Sequence, residues 1–234
     1  MAGKLYGVGV GPGDVELLTM KAYRLLRDTG VIAVPIKKKG EESTALAIIR
    51  KVINLEEKEI IRLEFPMEHT GNALEKSHHL AAQRLCRILE KGRDVVLITL
   101  GDVSLYSTCS YVLWRVREHG YEIEMVPGVP SFCDAAARAG IPLAQGHEDL
   151  AVLSASNQRE PLECALDHFE NVVIMKAGSR MPLIVEILQE RELMDRSWAA
   201  ENIGMENETI GRPDPERSYG YFTTVIVKKG GIHR

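Results

Sequence analysis

Cysteine is scarce and never paired: Cys86, Cys109, Cys133 and Cys164 stand far apart, with no C-x-x-C spacing among them. That excludes a zinc ribbon and a disulfide-stapled scaffold, and the thiols are expected to be reduced and mostly buried. Long hydrophobic runs are missing too. The longest, residues 95–100 (VVLITL), is far too short to cross a bilayer, so no membrane partner is expected. The opening residues lead into a strand pattern without the features of a signal peptide, which makes the cytoplasm the expected compartment. Nor is positive charge in excess, because 29 Lys and Arg against 33 Asp and Glu give a net charge of −4. Nucleic acid is therefore not an expected partner, and an anionic ligand has to be met by local lysines and arginines. Internal repeats, low-complexity tracts and proline- or serine-rich linkers are also absent. What remains is 234 residues, 45% hydrophobic and 26% charged, as in a soluble globular protein of one large or two small domains.

Apolar runs at 5–10, 31–36, 59–65 and 94–100 alternate with helical stretches, the pattern of a mostly parallel sheet flanked by helices. The helix expected over 72–91 carries Leu74, His78, Ala81, Leu85 and Ile88 on one stripe and stops at Gly92. After a strand at 122–126 and a helix at 131–139, strand-like runs at 150–154, 171–175, 197–201 and 221–228 lie closer together. The expected fold class is α/β, with two α/β domains. Residues 1–119 form an N-terminal domain with a mostly parallel sheet, and residues 120–234 a C-terminal domain with a mixed sheet.

Three strands break into glycine. The first becomes YGVGVGPGD (6–14), followed by the helical pattern ELLTMKAYRLLRD (16–28). Glycines let a ligand lie against bare backbone, and a helix start offers free N–H groups. The strand ending at Leu100 turns into Gly101-Asp102-Val103-Ser104-Leu105-Tyr106-Ser107-Thr108, and the one ending at Val126 into Pro127-Gly128-Val129-Pro130-Ser131-Phe132. Gly-Asp and Pro-Gly are ordinary turn dipeptides, but carboxyl strand ends are where open α/β sheets present ligands. A dinucleotide fingerprint fits badly. The sixth position counted from Gly7 is Pro12 and from Gly9 is Asp14, so the third glycine is missing. The second strand runs into Lys37, Lys38 and Lys39 where an acid should take the ribose. Those lysines still suit the extra phosphate of NADP, which keeps an NADP-dependent oxidoreductase as an alternative.

Taken together, YGVGVGPGDVELLT (6–19), LITLGDVSLYST (97–108), VPGVPSF (126–132) and AAARAGIP (135–142) resemble the tetrapyrrole methylases of cobalamin and sirohaem biosynthesis, over essentially the whole chain. The opening residues 4–22, Phe65-Pro66-Met67 and YSTCSY (106–111) are most similar to the branch that methylates C20 of precorrin-2 or cobalt-factor II. The resemblance implies S-adenosylmethionine in a cleft between the two domains, S-adenosylhomocysteine as product, a tetrapyrrole substrate and a homodimer. Methylation of another ring carbon in the same pathway is the nearer alternative. One departure stands out: the family's mid-chain loop commonly reads Gly-Asp-Pro, and Val103 holds the proline position here. An adjusted turn with retained binding is expected, since valine can adopt the φ that proline imposes.

Carried over onto matching positions, the cofactor contacts that the resemblance implies are Pro12, Leu100, Gly101, Asp102, Leu105, Pro130, Ser131, Met175, Ile203, Thr223 and Thr224. Methyl transfer to an electron-rich carbon needs placement more than acid–base chemistry, with a weak base for the departing proton. Asp102 and Tyr106 are the catalytic candidates; the plainer readings are a turn-shaping acid and a ring that packs on the substrate. A flat disc bearing carboxylates asks for cations beside apolar walls, which Lys37, Lys38, Lys39, Lys176 and Arg180 can supply. His78 reads as a core histidine with substrate contact as the alternative, and His79 as solvated. Adjacent helical residues face different ways, so the pair is not expected to bind metal, and any cobalt arrives inside the substrate.

Overall fold

Five apolar runs of the first half line up as one parallel sheet in the computed structural model, which describes residues 1–38, 40–65 and 71–231. Lys39, Pro66 and Met67 lie outside the described residues. The strands are β1 (Leu5–Gly9), β2 (Val31–Ile36), β3 (Glu59–Glu64), β4 (Val95–Thr99) and β5 (Ile123–Val126), in the spatial order β3-β2-β4-β1-β5. All five residues of β4 are buried, as in a central strand covered on both faces. Leu5, Ala33, Val95 and Leu97 face a core shared with α3 (Gly71–Leu89) and α4 (Thr108–Glu118). Val8, Ile32, Val34, Val96 and Ile98 face one shared with α1 (Met20–Asp28) and α2 (Thr44–Ile49). This is the period of two that a strand imposes. Gly7 lies on the α4 side, where a Cβ would stand 2.4 Å from Leu113 Cδ1, so its missing side chain lets the helix close on the strand. The β2–β4 ladder pairs only Ile32 and Ala33, and Pro35 beyond them has no N–H to extend it.

Two local expectations change. The helix expected straight after the first glycine loop is split: Asp14 caps a short 3-10 turn (Val15–Leu17), and Thr19 caps α1 by accepting from the Ala22 N–H at 3.2 Å. Two side chains able to cap, five residues apart, give the backbone two helix starts in place of one. On α3 the buried face is His78, Ala81, Ala82, Leu85, Cys86 and Leu89, while Leu74, assigned to the stripe from sequence, is 37% exposed. His78 is 4% exposed, and His79 is exposed, in a 2.8 Å hydrogen bond with Gln83.

The chain divides after Pro130, later than the sequence division near Gly120, because β5 pairs with β1 and belongs to the first sheet. The second unit contains α5 (Ser131–Ala139), β6 (Leu150–Ser154), α6 (Glu160–His168), β7 (Asn171–Met175), α7 (Met181–Glu190), β8 (Ser197–Glu201), β9 (Thr209–Gly211) and β10 (Thr223–Lys228). Its sheet runs β6-β7-β10-β8-β9, with β6 and β7 parallel and the other pairs antiparallel. β9 has only three residues and no apolar pattern, and the sequence does not announce it. Lys228 is 1% exposed and donates to Glu148 Oε2 at 2.7 Å and Asn171 Oδ1 at 3.2 Å. A buried ammonium is tolerable only when satisfied in this way.

Candidate functional site

In the first unit β2 leads outward to β3 while β4 leads back past β1 to β5, so the carboxyl ends of β2 and β4 form a topological switch point. Beside it, at the carboxyl ends of the neighbouring strands β4, β1 and β5, the three glycine-bearing strand ends, read separately in the sequence, meet. Gly11 and Gly101, both with positive φ (+78° and +68°), exchange hydrogen bonds: Gly101 N–H donates to Gly11 O at 2.7 Å and Gly11 N–H to Gly101 O at 3.2 Å. A Cβ at Gly9 would lie 2.5 Å from Gly101 O and 2.7 Å from Gly128 N, and one at Gly128 would lie 2.2 Å from Gly101 O. Only glycine permits that backbone-on-backbone contact. The Cβ position of Gly101 meets nothing within 4 Å, so this loop keeps one bare, open face.

Asp102 ties the second loop to the third. Its Oδ1 accepts from the Ser104 N–H at 2.8 Å and the Ser104 hydroxyl at 2.5 Å, and its Oδ2 accepts from the Gly128 N–H at 2.8 Å. With 9% exposure and both oxygens engaged, the carboxylate is a loop clamp, and the proton-acceptor role expected of it finds no support in this geometry. Val103, at the departing position, is 1% exposed and packs into the core beside Leu113. Ser107 caps α4 by accepting from the Cys109 N–H at 3.2 Å and donates to Thr99 Oγ1 at 2.9 Å, fixing where the loop ends. Between these anchors Tyr106 has φ +48° and 44% exposure. A left-handed tyrosine is costly enough that its neighbours must hold it there. Pro12 is buried, Leu100 and Leu105 are half-buried, and Lys37 and Lys38 are exposed where β2 ends. Pro130, half-buried, is the last residue of this unit.

In the second unit Met175, Ile203, Thr223 and Thr224 gather at one end of the sheet, where β7 and β8 finish and β10 begins. Thr223 pairs with Glu201 and Thr224 with Ala200, and both threonines are buried. Ala177 N–H donates to Thr223 O at 2.8 Å and Asn202 N–H to Phe222 O at 3.1 Å, which draws the turns after β7 and β8 onto the start of β10. Lys176 (φ +57°) and Asn202 (φ +54°) both take left-handed backbone in those turns. Arg180 closes the 3-10 turn Gly178–Arg180, and Ser131 opens α5. Lys176 and Arg180 therefore belong to one unit and Lys37 to the other.

Sequence reasoning missed Glu201. It is 9% exposed, and its Oε1 accepts from the Gly220 N–H at 2.5 Å while its Oε2 accepts from Arg217 Nη2 at 2.6 Å. Gly220 in turn accepts the Thr223 hydroxyl at 2.7 Å, and its carbonyl sits 1.9 Å from where a Cβ of Gly178 would be. The available signal was an acid ending an apolar strand, WAAE at 198–201, where a solvated acid has no reason to follow two buried alanines. His78 stacks on Tyr111 with ring centroids 4.9 Å apart and planes 7° apart, and tilts against Phe65 at 5.6 Å. Among the described residues no three His, Cys, Asp or Glu side chains gather as metal ligands. Among the same residues no helix is long and apolar enough to cross a membrane.

Residues 4–215 match the family model of the tetrapyrrole (corrin/porphyrin) methylases. The chain is 34% identical to the cobalt-precorrin-2 C(20)-methyltransferase of Salmonella typhimurium, over 98% of each chain. It is 41% identical to a probable cobalt-precorrin-2 C(20)-methyltransferase of Methanocaldococcus jannaschii, over 74% of this chain and 72% of the relative. The fold matches that of uroporphyrin-III C-methyltransferase from Thermus thermophilus, solved with S-adenosyl homocysteine, with a TM-score of 0.69 and 21% identity over 97% of this chain and 99% of that one. These likenesses displace the oxidoreductase alternative, and the chain belongs to the tetrapyrrole methylase family.

Proposed function

We propose that the chain is an S-adenosylmethionine-dependent methyltransferase that adds one methyl group to C20 of precorrin-2 or its cobalt-bearing counterpart in cobalamin biosynthesis. The observation that carries this reading is the full-length likeness to the Salmonella C20-methyltransferase. The cofactor, when bound, supplies an electrophilic methyl on a sulfonium. The residues of the chain then have to bind, orient and exclude water.

For the first unit we assign cofactor contact to Pro12, Leu100, Gly101, Asp102, Leu105 and Pro130. The open face of Gly101 supports this, because a ligand can lie there against backbone without displacing a side chain. Met175, Ile203, Thr223, Thr224 and Ser131 of the second unit are assigned to the same ligand by family resemblance. Asp102 acts as a positioning residue through its hold on Gly128. Tyr106, exposed and at a left-handed backbone, is assigned the neighbourhood of the departing C20 proton. Lys37, Lys176 and Arg180 are assigned to substrate carboxylates. The working form is a cytoplasmic homodimer. Anaerobic incubation with S-adenosylmethionine and either ring should yield a product heavier by one methyl. No gain with either ring, under conditions where a known relative turns over, would overturn the reading.

A further inference from the structure

An exposed ring face at the ligand end of the first sheet has no part in the assignments above. In a parallel sheet every carboxyl strand end points the same way. Phe65 directly follows β3, and α4 starts from the loop that follows β4, so Tyr111 in its first turn lies at that same end. Tyr111 is 57% exposed, yet its ring is not loose: it stacks in near-parallel fashion on His78, which is 4% exposed and rests against Phe65. Burial and then the nearby charge of Arg115 lower the pKa of His78, against the opposing charge of Glu75, which favours the neutral imidazole less than burial does the charged one is disfavoured. His78 Nε2 has no hydrogen-bond partner among the described residues, consistent with a role in stacking rather than in a polar network. One turn along the same face of α4, Arg115 reaches Glu75 at 3.5 Å, a long pair that a ligand carboxylate can share.

We infer that Tyr111, backed by His78 and Phe65, is a stacking platform for the flat face of the tetrapyrrole substrate. An exposed aromatic held at a fixed angle by a buried ring suits a broad, flat, apolar partner with carboxylates at its rim, because stacking on a ring already ordered loses little further freedom. The inference rests on the methyltransferase reading, and the test separates the two. Tyr111→Ala should raise the KM for cobalt-factor II about tenfold, the size of a lost aromatic stack, while kcat and the Kd for S-adenosylhomocysteine stay within about twofold. Tyr111→Phe should restore the wild-type KM, since the ring and not the hydroxyl makes the contact. A cobalt-factor II titration followed by absorbance gives the same comparison if no methyl is transferred, so failure of the enzymatic reading leaves the platform testable. An unchanged tetrapyrrole affinity in Tyr111→Ala overturns the inference. So does an equal loss of S-adenosylhomocysteine affinity, or a change in the mass of the assembly, which would make this ring part of an interface between copies.

Discussion

In the first unit three strand ends press backbone on backbone at Gly9, Gly101 and Gly128, with the Asp102 carboxylate tying two of them, whereas in the second a carboxylate, Glu201, reaching Gly220 and Arg217, leads and the close backbone contact is the single one of Gly178 on Gly220. A steric clasp has no give: a Cβ at Gly9 or Gly128 collides with the Gly101 carbonyl, which cannot rotate away. A carboxylate clasp is graded, because one oxygen can be lost while the other keeps its bond. The first design fixes the bare backbone surface proposed to take the cofactor, and the second holds the loop that accepts the hydroxyl of the buried Thr223.

Substitutions can break this contrast, with the loss of cofactor affinity expected to fall from Gly128→Ala through Asp102→Asn to Glu201→Gln. Gly128→Ala should abolish measurable binding of S-adenosylhomocysteine by calorimetry and lower unfolding stability by about 3 kcal/mol, the cost of overpacking a site that cannot yield. Asp102→Asn puts an amide where two acceptor oxygens are needed; about tenfold weaker binding and a stability loss of about 2 kcal/mol are expected. Binding unchanged in Asp102→Asn would show that the tie between the second and third loops is dispensable. Glu201→Gln keeps one acceptor for Gly220 and loses the ion pair with Arg217, so a rise of about threefold in the Kd is expected. An effect as large as that of Gly128→Ala would erase the distinction between the two clasps.

Glu148→Gln should leave cofactor affinity unchanged and sharpen the comparison through pH. The hydrogen bond from Lys228, and then that from Asn171, holds the Glu148 carboxyl at about 2 against an ordinary 4.5. A lowered folded pKa contributes stability that is present above the ordinary value and lost as pH falls towards the folded one. Thermal unfolding of the wild type should therefore weaken between about pH 4.5 and 2, with a shallower decline in Glu148→Gln.

Much of the architecture was legible because apolar residues mark the strands: 31–36, 150–154, 171–175 and 197–201 coincide with β2, β6, β7 and β8, although β6 at the sheet edge is mostly half-buried. The division between the units was not, because β5 follows a glycine turn and only its pairing with β1 assigns it to the first sheet. β9 was invisible because three residues carry no period. The glycine ends announced a site but not that they touch, since contact between Gly9, Gly101 and Gly128 is a property of strand order. Asp102 was found for its position, while its use as a clamp depends on the Gly128 N–H, 26 residues away in sequence. Glu201 escaped because its partners Arg217 and Gly220 lie in a loop with no motif.

Methyl transfer to C20 can be followed by supplying S-adenosylmethionine with an isotopically labelled methyl group, together with cobalt-factor II and in parallel precorrin-2, and locating the label in the product by NMR. A single labelled methyl at C20 is expected. A label at any other ring carbon would contradict the C20 assignment, and unlabelled ring recovered from both reactions would contradict methyl transfer itself.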